Sequence, residues 1–198
     1  MGDINQLKYL EKYVPSTRGA VLEVGSKDYG STSSFRNVYH SNEYIGVDMA
    51  DGKGVDAVVD LVEGTGSLPL GHFDLIICCS VMEHVHKPWV FAENLGKLTR
   101  TGGQIYISVP WVWRYHAYPD DYFRYSHRGV MTLFPGFEWK SIEYSTNVPG
   151  EFIPVTADGK SSDDSMAVRR KLGLFNKQKR KYLPYLMINM LGTKRDSQ

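Results

Sequence analysis

Short apolar runs that end in glycine, acidic or small polar residues alternate with helix-like stretches through the first 110 residues. This alternation predicts crossover connections, and therefore a mainly parallel α/β sheet with helices on both of its faces. The predicted strands cover residues 20–25, 43–49, 55–61, 72–80, 103–110, 137–146 and 185–195. The predicted helices cover residues 7–14, 33–40 and 87–100, the last stopped by Gly102 and Gly103. In such sheets, ligands bind at the carboxyl ends of the strands, where the strand order reverses.

The chain of 198 residues is expected to form one domain over residues 1–198, with an insertion or lid-like segment at 147–182 before the last strand. Its 23 basic residues nearly balance its 22 acidic ones, and a formal net charge of +1 creates no overall field for nucleic acid or anionic membranes. Cys78 and Cys79 are adjacent and form no ordinary disulfide, which indicates a reducing compartment. With no secretory signal or membrane-spanning stretch expected, the predicted location is cytoplasmic.

The turn after the first predicted strand, in VLEVGSKDYGST, does not suit a dinucleotide. A dinucleotide turn uses three closely spaced glycines, whereas here Gly25 is followed by a second glycine only at Gly30. Asp28 would repel a phosphate in this turn, and no Walker A sequence is present. Glu23 adds a carboxylate that could hold a cationic group of the ligand. S-adenosylmethionine, a nucleoside with an ammonium and a sulfonium, fits this turn; the alternative is a turn that binds no ligand.

Acidic residues also end the next two predicted strands. The number of residues between the glycine turn and Asp48 is close to the spacing at which an acidic residue binds ribose hydroxyls in nucleotide-binding folds. Asp48 could instead cap a helix. Met49 beside it could cover an adenine face. At the end of the third strand, the Asp60 carboxylate and the Leu61 backbone N–H could contact the adenine amine.

Five stretches together resemble the class I S-adenosylmethionine-dependent methyltransferases: VLEVGSKDYGS, YIGVDMADGKGVD, VVDL, FDLIICCSVMEHV and GGQIYISVP, across roughly residues 20–110. The resemblance implies a doubly wound, seven-stranded, mostly parallel Rossmann-like sheet with an antiparallel last strand. It implies that the methionine end of the cofactor binds at Glu23, Gly25, Ser26, Lys27 and Gly30, the ribose at Asp48, and the adenine at Met49, Asp60 and Leu61, with Cys79 and Ser80 completing the pocket. Lys27 departs from the family pattern, because many members have glycine there.

A narrower likeness joins EHVHKPW to VPWVWRYHAYPDDYFRYSHRGVMTLF over residues 83–134. These stretches resemble a methyltransferase type 11-like bacterial group associated with polysaccharide, glycolipid or secondary-metabolite pathways. The segment after the fifth strand is rich in aromatic rings, which suits a sugar or other polyhydroxylated acceptor. The predicted acceptor-binding residues are Trp111, Tyr115, Tyr118, Tyr122 and Arg124.

The predicted catalytic residues follow the fourth and fifth strands, on the methyl side of the cofactor. His116 is the candidate base, because histidine titrates near neutral pH. His84 is a second candidate, for which a packing role is the favoured alternative, and Asp121 could instead form a structural ion pair with Arg124. No metal is predicted, because Glu83 with His84 or His86 matches no familiar zinc spacing. The basic run at 169–181 could touch phosphates, although a solvated helix face is favoured.

The predicted function is methyl transfer from S-adenosylmethionine to oxygen or nitrogen of a small molecule, such as a sugar, glycan precursor or secondary metabolite. The predicted partner is that small-molecule acceptor. A methyltransferase acting on RNA or protein is one alternative, and a non-catalytic module that binds S-adenosylmethionine is another. A Rossmann-type oxidoreductase is disfavoured by the glycine turn.

Overall fold

The computed structural model describes residues 3–30, 35–117, 119–155 and 185–196, and within them eight strands form one sheet. The strands are β1 (Ala20–Val24), β2 (Tyr44–Asp48), β3 (Ala57–Val58), β4 (Phe73–Cys79), β5 (Thr99–Val112), β6 (Phe137–Ser145), β7 (Phe152–Pro154) and β8 (Leu186–Lys194). Their order across the sheet is β3-β2-β1-β4-β5-β8-β6-β7. The predicted α/β class is confirmed.

The arrangement of strands around β1 places the ligand-binding crevice. The first five strands pair in parallel, with β2 on one side of β1 and β4 on the other. The strand order therefore reverses at β1, and the crevice opens outside the carboxyl ends of β1 and β4. The last strand, β8, runs antiparallel between β5 and β6, as the resemblance implied.

Helices cover both faces of the sheet, because its central strands are apolar on both sides. The first helix, α1 (Asp3–Tyr13), packs Tyr9 and Leu10 into one core cluster with strand residues such as Leu75. Two further helices, α2 (Pro88–Leu98) and α3 (His127–Leu133), pack into the other cluster. Of the helices in the part of the chain described, none is long and apolar enough to cross a membrane.

The sheet has one strand more than the seven predicted, and the additional strand is β7. It lies in the stretch assigned to an insertion and pairs antiparallel with β6 at the edge of the sheet. The chain turns back between them, where the Glu151 amide donates to the Val148 carbonyl at 3.1 Å and Gly150 has a φ of 79°. The rest of that segment, residues 156–184 with the basic 169–181 run, lies outside the described residues.

Several predicted boundaries also need correction. Helix α2 ends at Leu98, and Gly102 and Gly103 lie inside β5 rather than stopping the helix. A Cβ on Gly103 would lie 2.8 Å from the Phe73 carbonyl oxygen, so glycine permits β5 to approach β4 where the strand register shifts. The predicted third strand shrinks to Ala57–Val58. Within the described part of the predicted 33–40 helix, only a 3₁₀ turn at Phe35–Asn37 forms.

The short helix α3 was not predicted from the sequence. Ser126 caps its amino end by accepting a hydrogen bond from the Gly129 amide at 3.1 Å. A serine at this position is a recognisable sequence signal for the start of a helix. The signal was overlooked because an aromatic-rich segment precedes Ser126.

Candidate active site

The turn after β1 is held by a close approach to the turn after β4. Gly25 has a φ of 75°, and a Cβ built on it would lie 2.3 Å from Cγ2 of Val81. The amides of Gly25 and Ser26 both donate to the Val47 carbonyl, at 2.8 and 3.1 Å. Glycine is therefore required at this position by both backbone angle and space.

Residues after β2 form the other wall of this turn. The Asp28 amide donates to the Lys53 carbonyl at 2.8 Å, and the two side chains form an ion pair at 2.7 Å. The Lys27 ammonium lies 5.6 Å from the centre of the Tyr29 ring. The Gly30 amide donates to the Asp28 carboxylate at 2.7 Å. The carboxylate that argued against a phosphate ligand is thus used to shape the turn.

Asp48 links the turn after β1 to the end of β2. Its carboxylate accepts from the Lys27 amide at 3.3 Å and from the Ala50 amide at 3.1 Å. Met49, the next residue, is 62% exposed, and Val58 at the end of β3 is 57% exposed. These apolar side chains at the crevice could cover a flat aromatic base. Val58 was missed by the sequence analysis, although its place at a strand end was a signal.

Asp60 and Leu61 follow β3 and form a tight turn. The Asp60 carboxylate accepts from the Val62 amide at 2.8 Å, and its carbonyl accepts from the Glu63 amide at 3.0 Å. Leu61 is buried, and its carbonyl accepts from the Asn94 side chain at 2.9 Å. Some of the hydrogen-bonding groups of Asp60 and Leu61, which were predicted to contact the cofactor, therefore already bond within the fold.

Glu23 lies in β1 and is partly buried. Burial raises the pKa of Glu23 to about 7, although the Tyr44 hydroxyl donates to its carboxylate at 2.6 Å. The Arg36 guanidinium lies 4.6 Å from the centre of the Tyr44 ring and pairs with Asp56. Tyr44 and Arg36 were missed, because their proximity to Glu23 depends on the pairing of β1 with β2.

The carboxyl end of β4 carries a strained residue. Ser80 has a φ of 54°, a conformation that non-glycine residues rarely adopt. Its amide donates to the Ser108 carbonyl at 2.8 Å, and its hydroxyl accepts from the Gln6 side chain at 3.0 Å. Cys79 before it is partly buried. Helix α1 thus reaches the predicted cofactor pocket through Gln6, a contact that the sequence did not reveal.

The predicted catalytic histidines come together beside a buried carboxylate. Glu83 and His84 lie in the 3₁₀ turn Met82–His84, and His116 follows β5. The Nε2 atoms of both histidines are 3.9 Å from Oε1 of Glu83, and their rings make an edge contact at 4.9 Å between centres. Burial raises the pKa of Glu83 to about 8. Burial also lowers the pKa of His84.

Asp121 and Arg124 fix the loop that carries His116. The Asp121 carboxylate accepts from the His116 amide at 2.8 Å and pairs with the Arg124 guanidinium, which lowers the pKa of Asp121 to about 2. Arg124 also donates to the carbonyls of Trp113 and Arg114, at 3.2 and 2.9 Å. The ion pair considered as an alternative for these two residues is present, and it uses much of the guanidinium predicted to bind the acceptor.

Three of the aromatic residues predicted to bind the acceptor are exposed. Tyr115 is 70% exposed, and Tyr122 is 49% exposed with its hydroxyl donating to Asp120 at 3.1 Å. Trp111 is 40% exposed and stacks on Tyr144 with 5.1 Å between ring centres. Tyr118 lies outside the described residues. Exposed rings therefore lie near the end of β5 and on the segment that follows it, which also carries His116.

A family-level comparison then identifies the chain. A sequence model of a family described as a methyltransferase domain matches residues 5–142, which is more than half of the chain. The chain belongs to this family of methyltransferases. Comparison with curated protein sequences gave no match.

Solved structures share the fold of this methyltransferase at low sequence identity. YcgJ from Bacillus subtilis is 14% identical, with a TM-score of 0.63 over 97% of this chain and 99% of its own. An S-adenosylmethionine-dependent methyltransferase from Archaeoglobus fulgidus is 15% identical, with a TM-score of 0.58 over 95% and 92%. The 1,6-didemethyltoxoflavin-N1-methyltransferase of Burkholderia thailandensis, solved with 1,6-didemethyltoxoflavin and S-adenosylhomocysteine, is 13% identical, with a TM-score of 0.62 over 96% and 77%. The predicted family is confirmed.

One large cavity of the methyltransferase lies away from this edge of the sheet. Its volume is about 1070 Å³, and it lies between α2, α3 and the residues that end β8. Because β8 runs antiparallel to β5, its last residues lie beside the beginning of β5. The cavity therefore opens at the amino ends of the parallel strands, opposite Gly25 and Asp48.

The contact between Gly25 and Val81 predicts a specific pattern of stability. Gly25→Ala should lower the free energy of unfolding by roughly 3 kcal/mol or more, because it combines backbone strain with overlap. Gly30→Ala is the matched control, since Gly30 has a φ of 82° but a Cβ there would meet no atom of the described residues within 4 Å; it should cost about 1 kcal/mol. Adding Val81→Ala to Gly25→Ala should recover part of the loss in chemical denaturation. If the two glycine-to-alanine substitutions lowered the free energy of unfolding equally, the steric overlap with Val81 would be contradicted.

The raised pKa of Glu23 predicts how stability depends on pH. The folded protein binds this proton more tightly than the unfolded chain, so the associated stability is present at low pH and is lost as pH rises through about 7. Glu23→Gln should remove this loss. Between pH 4 and pH 8, the free energy of unfolding of the variant relative to that of wild type should therefore rise by up to about 3 kcal/mol. Denaturation across that range measures it, with Glu11→Gln on the exposed face of α1 as control. Parallel curves for Glu23→Gln and wild type would exclude the effect.

Proposed function

We propose that this methyltransferase transfers the methyl group of S-adenosylmethionine to oxygen or nitrogen of a small molecule. The observation that carries the proposal is the position of Asp48, whose carboxylate lies across the glycine turn at the crevice, next to exposed Met49. A ribose with two hydroxyls fits such a carboxylate, and no pyrophosphate is needed beside Asp28. The Burkholderia structure of the same fold contains S-adenosylhomocysteine, the product of this cofactor.

The proposed cofactor contacts follow the edge of the sheet. The methionine end lies at the turn after β1, where the buried Ser26 hydroxyl has no hydrogen-bond partner in the residues that the structure describes and the Glu23 carboxylate can attract an ammonium group. The ribose lies on Asp48, and the adenine lies against Met49 and Val58. The remaining contacts proposed from the sequence stay as proposals: Lys27, Gly30, Asp60, Leu61, Cys79 and Ser80.

The reaction needs positioning more than covalent chemistry. The acceptor atom attacks the methyl carbon, the carbon–sulfur bond breaks with its electron pair on sulfur, and the acceptor releases a proton. The Nε2 atoms of His84 and His116 face the same region beside Glu83, so they can accept that proton or hold a cation that favours its release. Asp121 acts through His116 and is a positioning residue.

The acceptor is proposed to be a small molecule with a ring, such as a sugar, glycan precursor or secondary metabolite. Tyr115 and Tyr122 are exposed beside His116, and Asp120 supplies an oxygen that can accept from a hydroxyl. Aromatic faces with nearby carboxylates bind polyhydroxylated rings. The small net charge supports this class over RNA, because no broad basic field is present. The single domain and the cytoplasmic location expected from the sequence stay predictions.

Cofactor binding tests the central part of the proposal. Asp48→Asn should weaken S-adenosylmethionine binding about 10- to 100-fold, because hydrogen bonds to a charged acceptor are the stronger kind. Isothermal titration calorimetry measures this, with Asp51→Asn in the same loop as control. NAD should give no heat. Tight NAD binding, or unchanged affinity for S-adenosylmethionine in Asp48→Asn, would remove the proposed pocket.

The exposed aromatic residues proposed to bind the acceptor predict a separate kinetic effect. Tyr115→Ala should raise the acceptor KM about ten-fold with little change in kcat, because the ring binds substrate and transition state alike. A screen with labelled S-adenosylmethionine against sugars, nucleotide-linked sugars, small phenols and total RNA supplies the acceptor. Leu70→Ala, at an exposed position in the turn before β4, is the control. Label found only in RNA, with a KM that rises steeply with salt, would favour the nucleic-acid alternative.

A further inference from the structure

Three electron-pair donors converge between the loops that follow β4 and β5. One ligand atom each from Glu83, His84 and His116 lies within 4.8 Å of the other two. The Glu83 side chain is 1% exposed, and neither of its carboxylate oxygens has a hydrogen-bond partner among the described residues. A buried carboxylate without a donor is costly, so its position points to a missing positive partner.

The tautomers of the two histidines strengthen this argument. Nδ1 of His84 lies 2.6 Å from the Asp120 carbonyl oxygen. Nδ1 of His116 lies 3.1 Å from the Arg114 carbonyl oxygen and 3.2 Å from the Asp121 carboxylate. Because these oxygens only accept, the proton of each neutral ring belongs on Nδ1. Each Nε2 therefore presents a lone pair towards Glu83.

Arg124, on the loop that follows β5, already has other partners. Arg124 donates to both oxygens of Asp121 and to two backbone carbonyls. At 3.9 Å, the contacts from Glu83 to the two Nε2 atoms are too long for hydrogen bonds. Within the described part of the chain, two lone pairs and a carboxylate thus face one another without a hydrogen-bond donor between them.

We propose that Glu83, His84 and His116 bind a divalent transition-metal ion of the Zn²⁺ class. Two imidazoles and one carboxylate form a set used by catalytic zinc sites, which keep an open position for water or substrate. Tetrahedral coordination at these bond lengths separates ligand atoms by about 3.4 Å. The two 3.9 Å separations between Glu83 and the imidazoles therefore need a closure of about half an ångström, and the two histidine ligand atoms, within 4.8 Å of each other, need a closure of up to about 1.4 Å.

The surroundings of the three ligands suit a metal site. The Asp120 carbonyl and the Asp121 carboxylate orient the two rings, as hydrogen-bond partners commonly do for metal-bound histidines. The amides of Tyr122 and Phe123 donate to the Glu83 carbonyl, at 2.8 and 3.2 Å, and join the two loops. The ligands therefore sit on a fixed framework.

The role of this ion rests on the proposed function. With three protein ligands, a four-coordinate ion would keep one position open, and an acceptor hydroxyl could bind there. The ion would stabilise the deprotonated oxygen that attacks the methyl carbon, the proton would pass to solvent, and sulfur would keep the electron pair of the broken bond. His84 and His116 would then act as ligands rather than as free bases.

Metal titration of the chelator-treated, full-length protein tests the site directly. Calorimetry with ZnCl₂ should give one tight site, and Co²⁺ should produce the visible absorption of a four- or five-coordinate ion. Glu83→Gln and His116→Gln should each weaken Zn²⁺ binding about 100-fold. Two controls should bind as wild type: His86→Gln, close in sequence but outside the cluster, and His72→Gln, from the exposed pair with Glu43.

The outcomes separate the metal site from the proposed function. Absence of tight Zn²⁺ binding and of a Co²⁺ band in the wild-type protein would overturn the site, whether or not the variants fold. Binding that is lost in His72→Gln but kept in His116→Gln would also overturn it. S-adenosylmethionine affinity, measured on the same samples, should change less than about three-fold in the Glu83 and His116 variants. Zn²⁺ binding without any cofactor binding would instead keep the site and reject the proposed function.

Discussion

The close approach of the turns after β1 and β4 is the constraint on which the rest of the site depends. Gly25 leaves no room for a side chain against Val81, and its amide is tied to the end of β2. Three strand ends therefore meet with little freedom. Asp48 then reaches across to the Lys27 amide, and Ser80 is held in its strained conformation on the other side. The crevice keeps its shape through backbone contacts, not through long side chains.

Buried polar side chains connect this edge to the rest of the fold. Gln6 of α1 donates to the hydroxyls of Ser80 and Ser108, and Ser108 donates to Asn189 in β8. Asn189 in turn bonds Ser145 in β6. Because such groups lose much when left unpaired, the network fixes the position of α1 and of the antiparallel strands relative to the cofactor edge.

Two carboxylates at this edge, Glu23 partly buried and Glu83 fully buried, differ in how the fold compensates for their burial. Burial raises the pKa of both Glu23 and Glu83, but Glu23 has the Tyr44 hydroxyl as a donor from within the fold. Among the described residues, Glu83 has no such donor and faces two imidazole nitrogens. The first arrangement can tolerate either protonation state and can respond to a cationic cofactor. The second can be neutralised by a proton, as its raised pKa indicates, or by the proposed metal ion, which the two imidazole nitrogens would also bind.

The sequence by itself determined the strand order along the chain, the glycine turn and the family, because apolar periodicity and local turn chemistry are properties of neighbouring residues. It could not determine what Glu83 and His116 do together, since they lie on different loops and meet only when β4 and β5 pair. The edge strand β7 depends likewise on where the chain folds back against β6. Local propensity sets which elements form, whereas contacts between distant residues are decided by the entropy and packing of the whole chain, and only the tertiary structure contains them.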